Sequence, residues 1–246
     1  MTTLIVSSRH TEDNQSLWRA ATARGWDVVR AQGIRVPEVD DEDLVIYVES
    51  LFAPTVAKRV GRRLQELPED WMVRLPYSYA KRMITITSLA EARNFAHPMF
   101  VKPPNDKSFE AKVYECGADL PVEYDDGMTV LVSEPVLWEG EYRCFCLDGK
   151  ALTVSPYYRS GVHAKLSDYE ITPAERSAVI EFAESVLAET GEFTPRAVVI
   201  DIGELTGHGL AVVEANAAWG SGIYGCDPAV VLDVLRRAIT CANDAD

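Results

Sequence analysis

The sequence predicts a mixed α/β chain in which a small parallel-sheet unit is followed by strand-rich, antiparallel segments. Three observations carry that expectation. Strand and helix signals alternate over the first 80 residues, the middle of the chain is dense in short strand signals, and two helices near the C-terminus open with clear capping sequences.

Taken in order, residues 3–7 (TLIVS) form a short apolar run and read as a strand. Residues 11–24 carry Leu17, Ala20, Ala21 and Arg24 at helical spacing, with Gly25 as the helix stop. Residues 26–30 read as the next strand. After a polar turn rich in Asp and Glu, residues 44–48 (LVIYV) are continuously apolar, as a strand buried on both faces of a parallel sheet must be. Residues 56–67 read as a helix, completing a three-layer α/β unit that ends near the Pro-containing segment 75–79.

From Lys81 the texture changes. Ser88 and Glu91 have capping-box spacing and open a helix over residues 88–95, which stops before Pro98. Residues 99–102 (MFVK) read as a strand cut off by Pro103 and Pro104, and further strands are expected over 129–133, 141–147 and 151–155, with Asp148-Gly149 as the turn after the second. Thr172-Pro173-Ala174-Glu175 opens a long helix: an N-cap threonine, proline at the first helical position, glutamate at the third, then an apolar stripe through Val179, Phe182, Ala183 and Val186 up to Gly191. Asp227-Pro228 repeats the device for a final helix whose buried side is Val231, Leu232, Val234 and Leu235. Between these helices, strands over 197–202 and 210–215 are joined by the glycine-rich turn 203–209.

Composition narrows the function classes. The 246 residues carry 24 Lys and Arg against 38 Asp and Glu, a formal charge of −14, so no net basic surface is available for nucleic acid. The densest basic cluster, Lys58, Arg59, Arg62 and Arg63, has the spacing of one solvated helix face. Apolar residues make up 47% and charged residues 25%, which is ordinary for a chain with a large core. No stretch approaches the roughly 18 apolar residues of a membrane span, and the N-terminus lacks a basic region followed by a long apolar core, so a cytoplasmic protein without a membrane partner is expected. The five cysteines include no CxxC pair and no histidine at zinc-ligand spacing; Cys144 and Cys146 share a strand face and read as small core residues.

The most informative segment is residues 198–222, VVIDIGELTGHGLAVVEANAAWGSG. A hairpin turning about Gly207 and His208 sets Asp201 directly opposite Glu214, and Asn216 shares the face of Glu214. Opposed carboxylates in an apolar sheet are destabilising unless something positive lies between them, and two carboxylates with an amide oxygen are the all-oxygen donor set of a magnesium site; the alternative is a solvated polar row on an edge hairpin. Lys102 ends an apolar strand, where its ammonium can meet a phosphate or simply be solvated. Arg143 shares a face with Glu141 and Phe145, a setting for a structural ion pair as much as for an anion clamp.

These residues stand in an order that resembles the ATP-grasp superfamily of ATP-dependent carboxylate-amine ligases: Phe100-Val101-Lys102-Pro103, Ser133-Glu134-Pro135-Val136, Glu141-Tyr142-Arg143, Asp201, and Glu214-Ala215-Asn216. FVKPPNDKSF, WEGEYRCFCLDGK and VEANAAWGSGIYGCDP are similar in particular to the arginine-and-two-lysine clade. The resemblance covers residues 81–239 and implies an ATP-grasp fold: an N-terminal Rossmann-like α/β domain (1–80), a lid and central subdomain (81–136) and a C-terminal catalytic subdomain built on an antiparallel sheet (137–246). It implies ATP and Mg²⁺ as cofactors. Lys102 would bind the α and β phosphates, with Lys81 or Lys107 as second lysine. Glu134, Pro135 and Val136 would form the adenine-pairing hinge, Glu141 would meet the ribose, and Asp201, Glu214 and Asn216 would hold the metal. Arg143 would lie near the γ-phosphate, with Arg159 a second candidate. The implied reaction joins a small-molecule carboxylate and an amine, an amino acid or peptide among them, through an acylphosphate. A kinase on the same fold and a nucleotide-binding protein without turnover are the alternatives. The segment 105–126 departs from the family pattern in lacking a multi-glycine phosphate loop, with Gly117 and Gly127 isolated. The sequence names neither the substrates nor the oligomeric state.

Overall fold

In the computed structural model, which describes residues 1–39, 43–105 and 107–242, the first apolar run is strand β1 (Thr2–Ser7), the middle strand of a parallel sheet. Helix α1 (Glu12–Ala23) follows, its Asn14 N–H capped by the Thr11 hydroxyl at 3.2 Å, and Gly25 at φ +72° reverses the chain into β2 (Asp27–Ala31). Residues 40–42 of the acidic turn lie outside the described residues. Strand β3 (Asp43–Tyr47) pairs with the other edge of β1, and Leu44, Val45 and Ile46 are buried, as their continuous apolarity requires.

The next segment corrects the sequence expectation. The helix foreseen over 56–67 is α2 (Ala53–Arg59); Gly61 at φ +67° ends it, and the chain continues as β4 (Arg62–Leu64), antiparallel to a strand from the far C-terminus. Arg62 and Arg63 therefore lie on a strand and do not extend the basic helix face of Lys58 and Arg59.

The middle of the chain is short helix α3 (Tyr77–Ala80), β5 (Ile84–Ser88), one-turn helix α4 (Leu89–Ala92), β6 (Met99–Lys102), β7 (Lys112–Tyr114) and β8 (Thr129–Ser133), assembled as an antiparallel sheet in the order β5-β8-β6-β7. The capping box of Ser88 and Glu91 is formed, but the helix it opens is shorter than the expected 88–95. Asp106, within the segment 105–126, lies outside the described residues. A small core of Leu89, Ala92, Val101, Val130 and Val132 holds this unit together.

The rest of the chain is β9 (Trp138–Leu147), β10 (Lys150–Arg159), β11 (Val162–His163), helix α5 (Pro173–Thr190), β12 (Ala197–Leu205), β13 (Gly209–Ala217), helix α6 (Pro228–Leu235) and β14 (Ile239–Cys241), the partner of β4. Five of these strands form an antiparallel sheet in the order β11-β10-β9-β12-β13. The β9–β10 turn places Asp148 and Gly149 at φ +50° and +77°, the conformation that this dipeptide favours.

The two faces of the five-stranded sheet do different work. One is apolar throughout: Cys144, Cys146, Val198, Ile200 and Ile202 pack on Val179, Ala183, Val186 and Leu187 of α5, and Trp71 and Leu75 join the same core. The other is divided. Phe145 and Val199 pack on α6 and the N-terminal sheet, while Arg143, Asp201 and Glu214 lie side by side at the opposite end, across β9, β12 and β13.

Helix α5 is held at its start by reciprocal bonds: the Thr172 hydroxyl accepts the Glu175 N–H at 3.2 Å and the Glu175 carboxylate accepts the Thr172 N–H at 2.9 Å. These bonds, with Arg159 alongside, hold the Glu175 carboxyl down at about 2, below its ordinary 4.5. Thr172→Ala is expected to cost about 1 kcal/mol in urea denaturation. The Glu175 contribution is expected to be complete above about pH 4.5 and to fade as pH falls towards 2, so Glu175→Gln should flatten the stability–pH curve in that window.

Candidate functional site

The site begins with register. The three-residue loop Thr206, Gly207 and His208 closes the β12–β13 hairpin, pairing Leu205 with Gly209 and Ile202 with Val212. A turn so placed leaves Asp201 and Glu214 one residue out of step, but a bulge at Val213 inserts the missing residue and Asp201 does pair with Glu214. Arg82 secures the bulge: its guanidinium donates to the carbonyls of Val212 and Val213 at 2.7 and 2.8 Å and to that of Ala80 at 3.1 Å. Burial pushes the Arg82 pKa down to about 10, which still leaves it charged at neutral pH. Nothing in the spacing of Arg82 marks it in the sequence, because its partners are backbone carbonyls.

Each of the opposed carboxylates has its own cation. Asp201, with 0% exposure, accepts two bonds from Arg143 of the neighbouring strand, Nε to Oδ1 at 2.9 Å and Nη2 to Oδ2 at 2.6 Å. Arg143 therefore pairs across the sheet with Asp201 and not along its strand with Glu141. Asp201 and the bidentate bonds hold the Arg143 guanidinium charged against the cost of burial, and that same burial pushes the Asp201 carboxyl up. Glu214 meets Lys102, which reaches in from the end of β6 to place Nζ 2.5 Å from Oε2. Lys102 and the Asn216 amide, 2.9 Å from Oε1, hold the Glu214 carboxyl down at about 2. Arg143 is also roofed by two rings, Tyr157 at 5.4 Å and Tyr224 at 4.8 Å from its guanidinium carbon, themselves stacked 5.1 Å apart, and its Nη1 donates to the Gly222 carbonyl at 3.0 Å.

This array forms one wall of a cavity of about 1100 Å³ between the two antiparallel sheets and the N-terminal unit. Lys102, Arg143, Glu214 and Asn216 line it, and Lys107 lines it from the segment after β6. Glu141 sits two residues before Arg143 on β9, bonded to the Tyr157 hydroxyl at 2.6 Å, and burial raises its pKa. Glu134, Pro135 and Val136 connect β8 to β9, and the Glu134 carboxylate accepts the Met83 N–H at 2.9 Å. Lys81 is elsewhere: left-handed at φ +49°, it donates to the His208 carbonyl at the hairpin tip. Arg159 faces α5, bonded to Glu175 at 2.9 Å and to the Glu170 carbonyl at 3.0 Å, so it does not reach the cavity. Of the cysteines, Cys144, Cys146 and Cys226 are buried, and all five are free thiols.

The donor chemistry suits a hard divalent cation. Glu214 and Asn216 offer oxygens to the cavity directly above Asp201, and the carboxylates already demand the positive charge that Lys102 and Arg143 supply. Among the described residues no group of three or more Asp, Glu, His or Cys side chains is placed to hold an ion. Sequence reasoning missed Tyr157, Tyr224 and Arg82, whose roles depend on strand register and on loop conformation.

A family model described as an ATP-grasp domain, the second family of its clade, matches residues 79–234. Solved structures share the fold at low identity. An ATP-grasp RimK domain protein from Sphaerobacter thermophilus is 16% identical, with a TM-score of 0.56 over 96% of this chain and 99% of that one. The macrocyclase MdnC from Microcystis aeruginosa, bound to its precursor peptide MdnA, is 12% identical, with 0.55 over 96% and 99%. The D-alanine–D-alanine ligase of Bacillus anthracis is 11% identical, with 0.51 over 97% of each. No curated protein matches the sequence significantly.

The Arg143–Asp201 pair should be a structural liability when halved. Asp201→Asn leaves a buried guanidinium without its counter-ion and is expected to cost about 3–5 kcal/mol in urea denaturation. The double variant Arg143→Met/Asp201→Leu should recover most of that loss, because it removes both charges. An Asp201→Asn protein as stable as the parent would refute the pairing.

Proposed function

The chain belongs to this ATP-grasp domain family, and on that premise we propose that it is an ATP-dependent carbon–nitrogen ligase. In this reading a carboxylate substrate attacks the γ-phosphate of ATP to give an acylphosphate, and an amine then displaces phosphate, leaving an amide, ADP and inorganic phosphate. The observation that carries the proposal is the convergence of Lys102, Arg143, Glu214 and Asn216 on one cavity wall above Asp201.

The roles follow from charge and position. Lys102, at the end of β6, exchanges Glu214 for the α and β phosphates, with Lys107 a second phosphate contact from the same cavity. Glu214 and Asn216 would hold Mg²⁺, which would supply charge neutralisation for the phosphates; Asp201, expected from the sequence as a third ligand, is buried with both oxygens on Arg143 and would act from beneath through that arginine. Arg143 presents its remaining N–H groups towards the transferred phosphoryl group; fixed by Asp201, Gly222 and two tyrosine rings, it needs little reorganisation as charge develops. The connection 134–136 would pair with adenine through its backbone, and Glu141 would meet the ribose. The work is positioning and electrostatics, so no nucleophilic side chain is required. The substrates we propose are small carboxylates and amines, amino acids or peptides among them. The MdnC structure, which holds a precursor peptide, supports peptides as a class to test. We place the nucleotide between subdomains 81–136 and 137–246.

Calorimetric titration of Mg-ADP tests the nucleotide site. The wild type should bind saturably, and Lys102→Ala and Glu214→Gln should each weaken binding about ten-fold or more, the loss of one charge-assisted contact. Unchanged affinity in both would remove this wall from the nucleotide site. ADP release that needs both a carboxylate and an amine would identify a ligase; release with a hydroxyl acceptor alone would make the protein a kinase.

A further inference from the structure

A second, smaller cavity of about 210 Å³ lies where β1 and β3 end. Its position is dictated by the parallel sheet: the C-terminal ends of both strands, Ser7 and Tyr47, and the first turn of α1 surround it, and Trp219 and Gly220 close it from the catalytic side. Ser50, Trp219 and Gly220 line both cavities, so the small one adjoins the large one.

Asp13 is the group of interest. Its Oδ2 accepts from the Tyr47 hydroxyl at 3.0 Å and from the Ile223 N–H at 3.1 Å, both neutral donors, and among the described residues it enters no ion pair with a cation. The neighbouring Lys165 is taken by Glu12. Asp13 also lies next to the reaction centre: a Cβ added to Gly222 would sit 3.5 Å from Asp13 Oδ2 and 3.8 Å from Arg143 Nη1. Across the same cavity stand Arg9 and Glu49, a loose pair at 3.9 Å in which the Arg9 side chain is 73% exposed.

We propose that this small cavity receives the amine substrate as a free α-amino acid, its ammonium on Asp13 and its carboxylate on Arg9. The inference rests on the ligase reading above and names the substrate class of its second step. The hydrogen-bond donors on Asp13 are neutral, so a cation can be added there, and an ammonium so placed adjoins the acyl group that Arg143 helps to form; one of its protons passes to the Asp13 carboxylate as the freed amine attacks and phosphate leaves. The volume of about 210 Å³, about seven waters at roughly 30 Å³ each, accommodates one small amino acid.

The test titrates each of the twenty protein amino acids, and its α-amide, into protein saturated with Mg-ADP. Binding of at least one free amino acid is expected, weakened ten-fold or more by Asp13→Asn, with Mg-ADP affinity unchanged. Arg9→Gln should erase the preference for the acid over its amide. Tyr47→Phe separates recognition from architecture, because it removes the hydroxyl whose single proton Asp13 Oδ2 at 3.0 Å and the Ser221 carbonyl at 3.1 Å share, but leaves the carboxylate. Loss of amino-acid binding in Tyr47→Phe equal to that in Asp13→Asn would reduce Asp13 to a structural latch and overturn the proposal. So would a wild type that binds Mg-ADP but none of the amino acids. Failure of Mg-ADP itself to bind would instead overturn the nucleotide reading, and the amine assignment with it.

Discussion

The bidentate pair between Arg143 and Asp201 is the constraint around which the rest of the site is arranged. It sits in the middle of the five-stranded sheet with both partners buried, and neither charge is tolerable there without the other. The pair aligns β9 with β12, positions Asp201 opposite Glu214 on β13, and through the Gly222 carbonyl fixes the loop that leads to Tyr224. It also leaves Glu214 as the carboxylate whose cation, Lys102, comes from a different sheet. The central sheet therefore holds one rigid charge pair and one exchangeable one, and the second is the one that opens to the cavity.

Much of this was readable in the chain. The buried strands of the N-terminal sheet follow from the apolar runs, the long helix from Thr172, Pro173 and Glu175, and the apposition of Asp201 and Glu214 from the glycine-rich hairpin. A two-residue turn at Gly207 and His208 gives that apposition by itself, and the observed three-residue turn gives it through the Val213 bulge. Strands β5, β7, β4 and β14 were not legible. Strands β4, β7 and β14 are three residues long, and a run that short acquires its structure from its partner, while β5 (ITITS) has threonines between its isoleucines and lacks the apolar run that marks β8.

The site divides in the same way. Glu214 and Asn216 could be singled out because polar groups are unusual in an apolar strand, whereas for Lys102 and Arg143 the residues alone left a solvated lysine and a structural ion pair open, and the family resemblance supplied the roles. Tyr157, Tyr224, Arg82 and Asp13 could not, because each is ordinary in its local setting and acquires meaning from a contact distant in sequence: a ring over a guanidinium, a guanidinium on two carbonyls, a carboxylate on a remote N–H. Arg159 illustrates the converse. An arginine near a strand end looks like an anion clamp, yet its strand turns it towards α5, where it completes a helix cap.

The bulge at Val213 has a consequence for how this sequence can vary. Because Arg82 grips the carbonyls on either side of the extra residue, the stretch from Val213 to Asn216 is locked in phase with Asp201, whatever happens at the far tip of the hairpin. Length changes among Thr206, Gly207 and His208 would alter only the tip. Deleting Val213 itself would make Glu214 the next residue after Val212 and so keep it opposite Asp201, removing only the bulge that Arg82 grips, whereas a deletion between Glu214 and Asn216 would turn Asn216 to the face beneath α5. The hairpin is thus a soft loop mounted on a frame whose phase is set by its pairing with β12, with one spare residue at the bulge and none between Glu214 and Asn216.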